Sequence, residues 1–119
     1  MTFPISTKVW AETMDPYDVV DYKVDLSPLL ATGEAIASFT VLTLTESDLL
    51  GLTVGTSTYA PVLDAATNNI TIWLSIAAGF QANAAFVLGM TLPIEISIIT
   101  DSSPSRRKQR TVAVKVIQR

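Results

Sequence analysis

Single-residue alternation of apolar and polar side chains is the strongest signal in this chain, and it is clearest in the last segment, Thr91–Arg119. Two runs in that segment place β-branched residues at every second position, which is the period of a half-buried β-strand. These positions are Ile94, Ile96, Ile98, Val112, Val114 and Val116. Because β-branched residues on neighbouring antiparallel strands pair favourably, the segment predicts a hairpin with one apolar face.

The polar stretch between these two strands, Asp101–Gln109, is rich in Ser, Pro and Asp and predicts a turn. Arg106, Arg107 and Lys108 lie within it, and their charges cannot be packed inside an apolar core. We therefore expect these three residues to project into solvent or onto a partner.

Shorter runs of the same alternation predict further strands, separated by turns that contain Pro, Gly, Asn and Asp. The runs are 19–26, 34–44, 50–54, 59–63 and 70–76. Pro61 places the fourth run at a sheet edge, because proline cannot donate to a central ladder. In the second run, strict alternation puts Phe39 and Val41 on the side opposite to Ile36. In the fifth run either face can be the buried one, with Trp73 as a core anchor or as part of a contact surface.

The number and spacing of these runs predict an all-β fold, an immunoglobulin-like antiparallel β-sandwich of about seven strands. We assign the sandwich to residues 15–119 and read residues 1–14 as an N-terminal arm or an edge strand. As an arm, this segment could add to a neighbour's sheet edge and place Phe3, Ile5 and Trp10 in pockets there. As an edge strand, it packs on its own domain.

The stretch from Ala77 to Met90 is rich in small residues and fits a loop, a helical turn or an extension of the flanking strands. Phe80, Phe86, Val87 and Leu88 within it are costly to leave in water. They either cover one end of the core or contact a neighbouring molecule, and we include Phe80 and Phe86 among the candidate partner contacts.

Composition favours a protein that is partly covered by other proteins. The 119 residues suffice for one domain. Apolar residues make up 49 per cent, but charged residues only 16 per cent, against about a quarter in typical soluble domains. A surface this poor in charge predicts contact with other protein.

The residue types present disfavour catalysis. The chain has no histidine and no cysteine, which removes serine triads, thiol nucleophiles, zinc knuckles and disulfides. Four early aspartates, at positions 15, 18, 21 and 25, suggest a calcium loop, but two of them lie on the outward side of a predicted strand. We expect no enzyme activity, no cofactor and no metal site.

Charge of opposite sign collects at the two ends of the sequence, since acidic residues cluster near residues 12–25 and basic residues near residues 106–119. This segregation suits either an intersubunit contact or, as we favour, two segments that meet within one fold. The basic cluster lacks the interleaved aromatic residues of single-strand readers, so we expect no nucleic-acid partner. No apolar run reaches the length of a membrane helix, and the first ten residues do not resemble a signal peptide. We expect a soluble chain made in the cytoplasm.

Four blocks of the sequence resemble small virion proteins of tailed phages, the fiber-tail adaptor family. The blocks are DPYDVVDYKVDLS (Asp15–Ser27), TGEAIASFTV (Thr32–Val41), TIWLS (Thr71–Ser75) and the final strand pair. Leu26 and Phe39 stand where the family commonly has tryptophan, and Ile76–Leu92 is longer and more apolar than in the family pattern.

The resemblance implies a non-enzymatic virion component, assembled in the host cytoplasm, that links fibers to the tail through an immunoglobulin-like domain. It implies other virion proteins, namely tail and fiber components, as partners, and we expect multiple copies in a symmetric assembly. Two alternatives stay open, a capsid decoration or cement protein and a host-glycan binding module. The glycan alternative is suggested by Trp10, Tyr17, Tyr22 and Tyr59.

Overall fold

The computed structural model describes residues 8–119, and in this range the chain forms two β-sheets that pack face to face. The strands are β1 (Lys8–Val9), β2 (Val19–Asp25), β3 (Ile36–Thr43), β4 (Leu52–Val54), β5 (Val62–Asp64), β6 (Asn69–Ile76), β7 (Met90–Thr100) and β8 (Arg107–Val116). The short helices are α1 (Thr45–Asp48) and α2 (Ala85–Leu88), with 3₁₀ turns at Ser27–Leu29, Ser57–Tyr59 and Ala78–Phe80.

The order of the strands is that of an immunoglobulin-like sandwich. One sheet, called here the β7 sheet, has the order β1-β8-β7-β3. The other, the β6 sheet, has the order β2-β6-β4, and β5 pairs with β6 beyond the end of β4. β3, β7 and β8 thus occupy the C, F and G positions of the immunoglobulin fold, and β2, β6 and β4 the B, E and D positions. The predicted all-β sandwich is confirmed.

Alternating apolar rows form the core, as the sequence predicts. The aliphatic row of β6, Ile70 to Ile76, is at most 2 per cent exposed, and Ile94, Ile96 and Ile98 of β7 are at most 1 per cent exposed. The intervening residues of both strands are only partly buried. The ambiguity about β6 is thereby settled, because Trp73 lies on the outer face and the aliphatic row faces the other sheet.

The alternation expected for β3 is wrong at the start of the strand, between Ile36 and Ser38. Ile36 pairs with Thr100 while Ser38 pairs with Ile99, so two steps on β3 match one step on β7. The extra residue is a β-bulge, which reverses the side on which all later residues of the strand project. Ile36 is therefore buried on the same side as Phe39 and Val41, which pack against the core.

Residues 8–14 are part of the sandwich. β1 pairs in parallel with β8, with Lys8 opposite Val112, and Met14 is fully buried. The backbone N–H of Trp10 donates to Ala113 of β8, while the indole Nε1 donates to the carbonyl of Lys23 at 3.0 Å in the other sheet. Lys8 and Val9 thus form an edge strand of the β7 sheet, and Trp10 connects the two sheets through its hydrogen bonds.

Replacement of Trp10 tests this bridging role. Trp10→Ala removes a buried ring and leaves the Lys23 carbonyl without its donor, so we expect a loss of about 3 to 5 kcal/mol in the free energy of unfolding. Tyr17→Ala is the control, because Tyr17 is 59 per cent exposed, and its change should stay within about 0.5 kcal/mol. Urea denaturation followed by circular dichroism measures both, and a loss below about 1 kcal/mol for Trp10→Ala contradicts the assignment.

Candidate interaction surfaces

The structure separates the residues predicted to contact partners into distinct groups. Phe3 and Ile5 lie outside the described residues. Trp10 is 8 per cent exposed and Phe86 is fully buried, so neither presents a surface to a partner. Their assignment as contact residues is corrected, because both aromatic rings belong to the core. Phe80 remains a candidate at 38 per cent exposure.

Four exposed apolar side chains lie at one end of the sandwich, in the loops that follow β3 and β6. The apolar end, as we call it, consists of Leu49 at 71 per cent, Phe80 at 38 per cent, Val87 at 60 per cent and Leu88 at 89 per cent exposure. Sequence reasoning leaves Phe80, Val87 and Leu88 either covering the core or contacting a neighbour, and it does not foresee Leu49. Side chains this apolar and this exposed on adjacent loops are typical of a protein-protein contact surface.

Backbone contacts hold the two loops of the apolar end together. The N–H of Ala77 donates to the carbonyl of Gly51 at 2.8 Å. The ring of Phe80 lies so close to Gly51 that a β-carbon there would approach it to 2.6 Å, and the φ of Gly51 is +80°. Only glycine tolerates both conditions, which explains how Phe80 packs over the preceding loop.

A groove with polar and apolar walls surrounds Trp73 on the outer face of the β6 sheet. The outer groove, as we call it, has a volume of about 320 Å³ and is lined by Val19, Thr53, Gly55, Tyr59 and Trp73, among others. Tyr59 meets the Trp73 ring edge-on, with ring centroids 5.2 Å apart. This paired aromatic wall suits an apolar side chain or the flat face of a small ring. The sequence alone does not decide whether Trp73 is buried or exposed, and only the packing of the two sheets places it on the outer face.

Aromatic residues behind the glycan alternative are split between core and surface. Trp10 and Tyr22 stack on each other with centroids 4.6 Å apart inside the sandwich. Burial, together with the nearby Glu12 carboxylate, raises the pKa of Tyr22 to about 12. Tyr17 and Tyr59 alone of the four are exposed, at 59 and 49 per cent.

The three basic residues assigned to the turn differ in their environments. The turn is shorter than predicted, because β8 already begins at Arg107, opposite Ile99 of β7. Arg107 and Lys108 are thus strand residues whose ladder with β7 extends beyond the alternating apolar part of β8. Because their sequence is polar, it does not predict a strand, and only the pairing with β7 shows that they belong to one.

Arg106 is engaged within the molecule. Its guanidinium binds Glu34 through two contacts, Nη2 to Oε1 at 2.6 Å and Nε to Oε2 at 3.0 Å. Glu34 also accepts the Ala31 N–H at 3.0 Å and the Ser102 hydroxyl at 2.8 Å, and its side chain is only 4 per cent exposed. The ion pair therefore fastens the loop before β3 to the loop between β7 and β8.

A second contact reinforces this loop junction. The Asp101 carboxylate accepts the Ala35 N–H at 2.8 Å, while the Asp101 N–H donates to the Ala35 carbonyl at 2.9 Å. The Arg106 N–H in turn donates to the Thr100 hydroxyl at 2.8 Å. Arg106 is a structural residue of this junction, and because its side chain is still 42 per cent exposed, a contact with a partner stays a prediction.

Acidic and basic ends of the chain also meet elsewhere, in agreement with the intramolecular reading. Asp15 accepts the backbone N–H groups of Tyr17 and Arg119, both at 2.9 Å, and these contacts lower the pKa of Asp15.

The Ser27 hydroxyl and N–H likewise lower the pKa of Asp25. Within residues 8–119 no group of three or more carboxylates is arranged to hold a metal ion.

Comparisons with known proteins give no family: no protein-family model and no curated protein matches the chain. No helix in the described range has the length and apolar character needed to cross a bilayer.

The Glu34–Arg106 pair predicts a pH-dependent stability. Hydrogen bonds from Arg106, Ala31 and Ser102 hold the pKa of Glu34 well below its ordinary value of 4.5. A lowered folded-state pKa stabilises the protein above the unfolded-state value, and this stabilisation is lost as the pH falls from about 5 through the folded-state pKa. Glu34→Gln should therefore destabilise at pH 7, and the deficit relative to the original protein should shrink below about pH 4.5.

Urea unfolding of both proteins at pH 7, 5 and 3 measures this deficit. Glu46→Gln, at an exposed carboxylate of α1, controls for the loss of one charge. A deficit that is constant from pH 7 to pH 3 would show that the charge of Glu34 contributes nothing.

Proposed function

We propose that this protein is a structural component of a tailed-phage virion, an adaptor that links fibers to the tail through protein-protein contacts. Three observations support the proposal: the four sequence blocks that resemble fiber-tail adaptors, the low proportion of charged residues, and the exposed apolar side chains on an immunoglobulin-like sandwich. The protein acts without catalysis or a cofactor, and its partners are other virion proteins.

The apolar end is the observation that carries the proposal. Leu88 at 89 per cent exposure and Leu49 at 71 per cent leave most of each side chain in water. Covering such a side chain gains about 1.5 to 3 kcal/mol relative to leaving it exposed. A partner that covers both loops at once therefore obtains a substantial part of its binding free energy from this end.

An adaptor has to contact two neighbours, and the sandwich offers two surfaces for this. The apolar end lies on loops after β3 and β6, whereas the outer groove around Trp73 lies on the face of the β6 sheet. Sandwich strands between them form a well-packed core with fully buried aliphatic rows, so one contact can be held in a fixed orientation relative to the other.

Purified particles of the phage that encodes the chain provide the first test. The adaptor reading expects the protein in a few copies that remain with the tail and fiber components after the particle is dissociated. Hundreds of copies on the shell would instead identify a capsid decoration protein. Absence of the protein from purified particles would end both readings.

A matched pair of substitutions tests the apolar end. Val87 in this patch and Val62 on β5 are both 60 per cent exposed, so Val87→Glu and Val62→Glu introduce the same charge at equal exposure. We expect both variants to fold, but only Val87→Glu to be lost from particles assembled in cells that supply the variant, because a buried carboxylate is costly at an apolar contact. Quantitative mass spectrometry of purified particles, normalised to the expressed protein, measures incorporation. Equal incorporation of the two variants contradicts a role for this end.

A further inference from the structure

Edges of β-sheets offer unpaired backbone groups to other chains, and folded proteins protect them with charges, prolines or interruptions. In the part of the chain that the structure describes, most edges of this sandwich carry such protection. β2 bears Asp21, Lys23 and Asp25, and β1 bears Lys8. The edge formed by β4 and β5 is broken by a turn that contains Pro61.

β3 is different. Its eight residues, IASFTVLT, include no charged residue and no proline, and it pairs with β7 on one side only among the described strands. The bulge at its start is its one protective feature, and the regular part from Ser38 to Thr43 follows it. Leu42, in the regular part, is 56 per cent exposed.

Open space adjoins this edge on both sides of the β7 sheet. Toward the β6 sheet, a groove of about 460 Å³ runs between β3 and the segment after β4, with Phe39, Val41, Val54 and Pro61 in its walls. On the outer side, a depression of about 290 Å³ is lined by Ser38, Thr40 and Leu42 and their neighbours on β7 and β8. Side chains of an added strand could therefore be accommodated on both faces.

We propose that β3 is a docking edge for β3 of a second copy of this chain, which pairs antiparallel across a twofold axis at Thr40. The two β7 sheets then form one continuous sheet. This inference goes beyond the virion role and does not depend on it, because it concerns only two copies of the chain.

The sequence of the strand is complementary to itself in this register. Thr40 lies opposite the second Thr40, and threonine pairs of this kind are favourable across antiparallel strands. Phe39 lies opposite Val41, an aromatic and β-branched pair that extends into the groove beside Pro61. Ser38 lies opposite Leu42, so the exposed leucine acquires a neighbour.

The absence of charge on β3 is compatible with pairing to a second copy. Twofold pairing places every residue near its own copy or near a close neighbour, so any net charge on the strand would be repelled by itself. β3 avoids this penalty because residues 35–45 are uncharged.

Single-cysteine crosslinking tests the register directly, since the chain has no cysteine of its own. Opposed residues of an antiparallel pair have Cα atoms about 4.5 to 5.5 Å apart, within the range that a disulfide spans. Under mild oxidation we expect Thr40→Cys to form a covalent dimer. Thr53→Cys, at an exposed threonine of the edge strand β4, is the matched control and should stay single.

Mixing extends the test to the neighbouring positions. Ser38→Cys and Leu42→Cys should crosslink with each other more than either does with itself. A crosslink of Thr40→Cys no faster than that of Thr53→Cys overturns the proposal, as does preferential self-crosslinking of Leu42→Cys.

Sedimentation of the protein without any introduced cysteine gives an independent measurement of the dimer. The original protein should have twice the mass of one chain, and Thr40→Lys should halve that mass because two lysines meet at the axis. A mixture of Thr40→Lys and Thr40→Glu should regain the dimer, which separates charge repulsion from a failure to fold. A chain that stays single at all concentrations tested, or a dimer that Thr40→Lys leaves intact, rules out pairing through β3.

Discussion

The packing of two aliphatic rows against each other is the interaction on which the rest of the structure depends. Ile70 to Ile76 of β6 cover the row from Leu92 to Ile98 of β7, and nearly all of these side chains are removed from water. Since the chain has no disulfide and no metal cluster in its described part, this burial is the main source of its stability. The end loops and the outer faces are positioned by it.

Polar contacts then fix the positions of the loops and of the N-terminal edge strand, which the core alone does not determine. At one end, Glu34 and Arg106 tie the loop before β3 to the loop after β7. At the edge, Trp10 bonds to both sheets, with its backbone on one and its indole N–H on the other. Because these contacts satisfy groups that are partly shielded from water, they specify geometry more than they add to stability.

Several apolar side chains remain exposed on a chain that has few charges. The apolar end is built on loops between the strands, where helical turns and Gly51 let large side chains gather, whereas the outer groove lies on the face of the β6 sheet. β3 adds an edge that lacks charge along its length. All three features are costly for a solitary molecule and useful for one that is held by neighbours. This is the physical basis on which we propose an assembly role.

The sequence by itself determined where most strands lie and, in regular strands, which residues share a face, because a period of two needs no knowledge of partners. Ile94, Ile96 and Ile98, the valines of β8 and the turn residues between runs give the sandwich without coordinates. The alternation pattern fails where the structure depends on a partner strand. The bulge at Ala37 puts Phe39 on the same side as Ile36, whereas strict alternation predicts opposite sides.

Only the tertiary structure decided which candidate contacts are free. Trp10 and Phe86 are aromatic residues in apparently irregular segments, and their burial follows from the two sheets closing over them. Arg106 lies in a basic run like Arg107, yet it alone meets Glu34, which is 72 residues away in sequence. Leu49 carries no sequence signal of exposure, since leucine is expected inside. For Leu88 the sequence leaves burial in the core and contact with a neighbour equally open. Such assignments depend on contacts between distant segments, and local sequence patterns do not encode these contacts.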